Sequence, residues 1–385
     1  MAENKQALQK ENFDKAINHI EPDWIPKNVS GSNAILDYAG YTFMEVEYSP
    51  ELTEKVIRHF FDNIPSDTGN VSYSAFPKTY EALDNMTETF LGPDGVALQH
   101  LQRPTMKADE YPLLIADMDK FVKDTLLPRK FPSLFGADKE EAIRRLKTII
   151  DERVWRATSH VSEIQKKLYE EYGFYPTPTV GLAPFVTPID YIFDRLRGFV
   201  GTIADLRRRP QEVHDALEVI YAVRATDYRD TKLTGVMANY PAHIPCYLSP
   251  KQFDEFFWPY FEKQINGLAS TGNKLSIFIE GHWLPFIDRF LNLPKDSLFN
   301  RVDDDDILDL NKVIGHHHTL MGGVIMQNMR LLPLQKNIDY AKQVIDEVGP
   351  GGGLVFGCNK SWLCRGDINQ NVADTYKFVN EYGRK

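Results

Sequence analysis

The 385-residue chain predicts an α/β fold, a closed (β/α)8 TIM barrel with an N-terminal helical extension and insertions. Three observations lead there. Short apolar runs alternate with longer amphipathic stretches through the C-terminal half. The alternation continues to a final helix, "NVADTYKFVNEYG", as a parallel sheet with covering helices requires. No G-x-G-x-x-G follows a first strand, which turns the pattern away from an open dinucleotide-binding sheet.

The N-terminal stretch "MAENKQALQKENFDKAINHIEPDW" is polar and amphipathic and lacks the apolar centre of a signal peptide. Residues 1–110 are less regular than the rest. "GPDGVALQHLQRPTMKADEYPL" reads as a hairpin insertion, and "FGADKEEAIRRLKTIIDERVWRATSHVSEIQKKLYEEYG" as a long helical block. "PTPTVGLAPFV" (Pro176 to Val186) is a strand bounded by prolines, and "DYIFDRLRGFVGTIADLRRRPQEVHDALEVIYAVRATDY" then has apolar residues at helical spacing. "TGVMANYPAHIPCYLSP" is extended, and "KQFDEFFWPYFEKQINGLA" is a helix with an aromatic face. Strands "KLSIFIEGH", "SLFNRVDDDD", "HTLMGGVIM" and "GGLVFGC" follow, separated by helices "PFIDRFLNL", "ILDLNKVIG" and "NIDYAKQVIDEVG". No linker or repeat divides the chain, so residues 1–385 are expected to form one barrel domain.

Composition excludes several functions. Lys plus Arg number 44 against 54 Asp plus Glu, a net charge of -10 that opposes nucleic acid and anionic lipid. The three cysteines, Cys246, Cys358 and Cys364, form no closed disulfide framework. No apolar run approaches the roughly 18 residues of a membrane helix. A cytoplasmic enzyme with reduced thiols is expected, and nothing opposes a homo-oligomer.

The strand "KLSIFIEGHWLPF" stops at Glu280-Gly281-His282. Residues two apart on a strand share a face, and the C-terminal strand ends of a barrel carry its chemistry. Glu280 and His282 therefore form a candidate metal pair, with Cys358, at the end of the last strand, as third ligand. The alternative is a solvated strand end or a helix-capping pair, with Cys358 a small buried hydrophobe. "HHH" (His316 to His318) precedes a strand and is expected in a surface loop on the opposite face. "RVDDDD" ends another strand, where Asp303 or Asp304 faces the mouth as a proton-transfer or ligand-orienting group and Asp305 or Asp306 caps the next helix. Phe185, Tyr240, Tyr247 and Trp283 are aromatic candidates for the wall of a planar organic substrate, although core packing explains each equally well.

Together "ENFDKAINHIEPDWIPKNV", "GFVGTIADLRRRPQEVHDALEVI", "LSPKQFDEFFWPYFEKQING", "LNKVIGHHHTLMGGV" and "VGPGGGLVFGC" resemble the uroporphyrinogen decarboxylase superfamily over nearly the whole chain. The true decarboxylases carry an Arg-rich stretch near the N-terminus, where this chain has "PKNVSGSNAILDYAG" without an arginine. The resemblance is closer to the zinc-dependent corrinoid methyltransferases, with Glu280-Gly281-His282 in the place of their His-x-Cys and Cys358, or Cys364, as the later thiol. The form "EG…LP…D" is similar to the branch that demethylates methoxylated aromatics.

That resemblance implies a Zn2+ site, a methoxyarene methyl donor, and a cobalamin-type corrinoid supplied by a partner corrinoid protein. Tyr240, His243 and Asp304 are then the candidates for orienting the ring or moving a proton at the leaving oxygen. Other methyl donors, a thiol acceptor, metal-free decarboxylation of a small acid and a catalytically silent corrinoid binder remain open alternatives.

Overall fold

The computed structural model describes residues 2–384 apart from 74–76, 84–88, 102, 137, 178, 181–184 and 225–236. The strands are Asn28–Gly31 (β1), Thr68–Val71 (β2), Thr89–Leu91 (β3), Leu98–His100 (β4), Tyr175–Pro176 (β5), Thr179–Val180 (β6), Met237–Ala242 (β7), Lys274–Ile279 (β8), Leu298–Val302 (β9), Thr319–Val324 (β10) and Leu354–Cys358 (β11). They form three separate sheets within an α/β fold. β1, β2 and β5 make one in that order, β11-β10-β9-β8-β7-β6 a second, and β3 pairs with β4 in a hairpin. The first strand of that hairpin precedes the stretch expected to form one, and the later part of that stretch is helical. All pairings in the first two sheets are parallel, and helices run between their strands.

The two parallel sheets meet at β1 and β11. The Phe356 N–H donates to Pro26 O at 2.9 Å, and isolated parallel bridges join Lys27 to Phe356 and Gly31 to Trp362. The strands of the long sheet are largely buried, with polar residues such as Asn239, Ser276 and Arg301 set among the apolar ones. In "KLSIFI" the residues Leu275, Ser276, Ile277 and Ile279 are all buried, so both faces of this strand are covered. The expected strand Pro176 to Val186 is seen as β5 and β6, and its remainder lies largely outside the described residues.

The helical block is two helices, Lys139–Thr158 and Val161–Tyr172, broken where His160 takes φ 58°. Asp306 caps the helix Ile307–Ile314 by accepting from Leu308 N at 3.0 Å. The triple-histidine expectation holds for the turn and for His316, which is exposed, but not for His318. The segment does precede β10, but His318 is buried and its Nε2–H donates to Phe290 O at 2.9 Å. Among the described residues no helix is long and apolar enough to cross a membrane.

Candidate active site

The chemistry-bearing side chains collect at the carboxyl ends of β7, β8, β9 and β11. His243 follows β7, Glu280 follows β8, Asp303 and Asp304 follow β9, and Cys358 to Lys360 close β11. Behind β7 stands a helical turn, Pro188–Tyr191, continuing through Ile192–Arg197. Thr187 caps it and Pro188 takes its first position, where a missing N–H costs nothing. Asp190 and Asp194 are four residues apart, so both project from one helical face toward the end of β7.

Asp190 is buried and fully engaged. Its Oδ2 accepts from the Tyr240 hydroxyl and from Thr187 Oγ1 at 3.0 Å. Its Oδ1 accepts the backbone N–H groups of His243 at 3.2 Å and Ile244 at 2.9 Å. Burial, reinforced by the Asp194 charge, pushes the Asp190 carboxyl up to about 6. Burial also carries the Tyr240 phenol well above its ordinary value, so Tyr240 is a neutral donor.

His243 lies between two carboxylates. Its Nδ1 is 3.0 Å from both Asp194 oxygens, and its Nε2 is 3.4 Å from Glu280 Oε2. Burial opposes its protonation, but the Asp194 hydrogen bond and the charges of Asp194, Asp190 and Glu280 outweigh it and raise the imidazole to about 9. Burial raises the Glu280 carboxyl; His243 and Lys360 oppose that rise, and Asp303 adds to it. Lys360 Nζ pairs with Asp303 Oδ1 at 3.0 Å and Asp304 Oδ1 at 3.6 Å. The centre is therefore rich in carboxylates and short of cations, which favours a bound proton or a divalent ion. Among the described residues Asp190, Asp194 and His243 form a group able to hold a metal, their ligand atoms all lying within 4.8 Å of one another.

Glu280, His282 and Cys358 are not brought together in this way. The extended chain ends at Ile279, and Gly281 turns through φ 77°, so Glu280 and His282 no longer share a face. A side chain is excluded at Gly281, where an added Cβ would lie 2.8 Å from Cys246 Cβ and 3.0 Å from Cys246 Sγ. The turn is pinned by Gly281 N donating to Asp303 Oδ2 at 3.0 Å. The His282 side chain is 73% exposed and sits 3.4 Å from Asp305 Oδ1. Cys358 is buried, and burial pushes its thiol up to about 11. Cys364 is exposed.

The aromatic candidates separate. Phe185 and Tyr240 have ring centroids 5.4 Å apart and, with Asp194 and His243, line a cavity of about 530 Å³. Tyr247 is exposed and lies against Phe193 and Phe199. Trp283 packs in the core against Phe253, Phe257 and Phe290, and its Nε1–H donates to Glu280 O at 3.0 Å. It supports the turn that carries Glu280. Sequence reasoning missed Asp190, Asp194, Cys246 and Lys360; the four-residue spacing in "DYIFD" was the available signal for the two acids.

Residues 121–360, more than half of the chain, match the family described as Uroporphyrinogen decarboxylase (URO-D). The chain belongs to this family. A methyltransferase from Methanosarcina mazei is similar in fold, with a TM-score of 0.57 and 14% identity over 97% of this chain and 98% of that one. A search among curated proteins returns no match. A URO-D family member with coupled titratable groups at its strand ends and a cavity beside them has the character of an enzyme.

Proposed function

We propose that the chain is a cytoplasmic, zinc-dependent methyltransferase that moves the methyl group of a methoxylated aromatic to the Co(I) of a corrinoid carried by a partner protein. The observation that carries this reading is the imidazole of His243 held by Asp194 on one nitrogen and facing Glu280 with the other. Oxygen and nitrogen donors with excess negative charge fit a divalent ion.

Glu280 and the Nε2 of His243 would hold the zinc. Asp194 would then fix the ring through Nδ1–H, as carboxylates commonly do for ligating histidines. Asp190, committed to Tyr240, Thr187 and two backbone amides, would hold Tyr240 and the β7 end in place. Glu280 keeps the role expected from the sequence, and His243 stands in for His282.

Zinc bound there would supply Lewis acidity toward the ether oxygen. Phe185 and Tyr240 would form one wall for the ring. The partner's Co(I) would supply the electron pair for the bond to the methyl carbon, and the carbon–oxygen pair would pass to the aryl oxygen. The aryl oxygen needs a proton to leave as a phenol, and Asp304, at the same strand ends, is the group assigned to delivering it from solvent, with Lys360 beside it as a fixed positive charge. We also take the two parallel sheets to close as one (β/α)8 barrel, because β1 and β11 are bridged and β5 and β6 follow one another along the chain.

The test is to supply the purified chain and zinc with methoxybenzenes and a Co(I) corrinoid protein, and to follow methyl-cobalt formation by its absorbance. Methyl transfer that disappears in His243→Ala supports the reading. No methyl-cobalt from any methoxyarene, with zinc bound, overturns it.

A further inference from the structure

A second cavity, of about 190 Å³, lies among the strands of both parallel sheets rather than beside the helices. Its lining includes Asn28 and Ser30 from β1, Asn70 from β2, Asn239 from β7, Ser276 from β8 and Arg301 from β9. Arg301 is the charged residue in this lining, and no carboxylate shares it. Among the described residues the guanidinium makes one hydrogen bond, Nη2 to Ser361 Oγ at 3.2 Å, lies 5.1 Å from the Phe278 ring centroid, and forms no ion pair.

Arg301 is half-buried, and a guanidinium drawn partly out of water is ordinarily paired, because an unpaired charge there is costly. Burial pulls the Arg301 pKa below its ordinary value. The surrounding amides and hydroxyls solvate it, and Asp303 acts on it only as a more distant charge without forming an ion pair. Asn239 lies opposite Ser276 in the β7–β8 register and also lines the larger cavity beside His243, so the two spaces share a wall.

We propose that this cavity is a binding site for a small carboxylate, held by the guanidinium of Arg301. A planar carboxylate matches the two-pronged donor face of arginine. One negative charge cancels the one positive charge, whereas a phosphate dianion would leave a net charge buried among neutral groups. The site is independent of the chemistry assigned to His243, and its ligand is either an acid group of the substrate or a separate organic acid.

Calorimetric titration of the full chain with benzoate, and separately with inorganic phosphate, tests this. Benzoate is expected to bind the unaltered chain, and Arg301→Met to weaken it about tenfold or more, as loss of a charge-assisted hydrogen bond predicts. Arg301→Lys keeps the charge without the fork, is expected to weaken binding several-fold, and serves if Arg301→Met does not fold. Undetectable benzoate binding, unchanged binding in either folded variant, or tighter binding of phosphate than benzoate overturns the proposal. Because the readout is binding, failure of the methyl-transfer reading leaves this test standing.

Discussion

His243 Nε2 lies 3.4 Å from Glu280 Oε2, joining the end of β7 to the end of β8 across neighbouring strands. The β7–β8 register pairs Ala242 with Ile279, so the next positions along both strands emerge side by side. Parallel pairing thus sets a nitrogen and a carboxylate together without any local sequence motif linking them.

The imidazole's proton affinity depends on Asp194. Asp194→Asn removes the negative charge from Nδ1, and the His243 pKa is expected to fall from about 9 toward the ordinary 6.5. Titration of the metal-free protein by NMR, following the His243 ring protons, checks this. A pKa unmoved by the substitution would assign the shift to Glu280 and Asp190 instead.

Gly281 is required by both space and backbone. Gly281→Ala sets a methyl against Cys246 in a left-handed conformation and is expected to cost about 1–3 kcal/mol. Denaturant unfolding measures that cost. Displacement of the turn also predicts weaker metal binding, because Glu280 immediately precedes it.

Trp283 supports the Glu280 turn from beneath. Trp283→Phe loses the indole hydrogen bond to Glu280 O and is expected to cost about 1 kcal/mol for the bond alone. Trp283→Ala, which also empties a space among Phe253, Phe257 and Phe290, is expected to cost about 3–5 kcal/mol. Unfolding midpoints of the two variants separate the hydrogen bond from the packing.

His318 makes the fold acid-sensitive. Burial, with a smaller push from His317 and His19, lowers its pKa from 6.5 to about 3 against the opposing Phe290 carbonyl and Asp296. The unfolded chain therefore binds a proton here that the folded chain refuses. The stability is full above about pH 6.5 and is lost progressively as pH falls toward 3, by up to about 1.4 kcal/mol per pH unit. His318→Gln keeps a donor for Phe290 O without the titration. Between pH 7 and pH 5 the parent is expected to lose stability relative to this variant, and equal losses would contradict the assignment.

Much of the strand-and-helix order was legible because apolar periodicity reports burial directly, as in "ILDLNKVIG" with its Asp306 cap. The candidate site was legible at Glu280 and His243, which sit where a parallel strand stops. The partnership between them was not, because it depends on the register of β7 against β8. His282 misled for a local reason: a glycine at positive φ ends the two-residue periodicity, and glycine in a sequence does not announce its dihedral angle. Asp190 and Asp194 were overlooked because their helix was read for its apolar face. Arg301 was passed over within the strand "LFNRV", where alternation alone does not distinguish an inner wall from an outer one.

The most direct measurement is the metal content of the chain purified without added metal and after zinc reconstitution, in the parent, His243→Ala, Glu280→Ala and His282→Ala. The account predicts about one zinc per chain in the parent and in His282→Ala, and its loss from His243→Ala and Glu280→Ala. A parent that takes up no zinc, or a His243→Ala protein that keeps it while His282→Ala does not, would contradict the account.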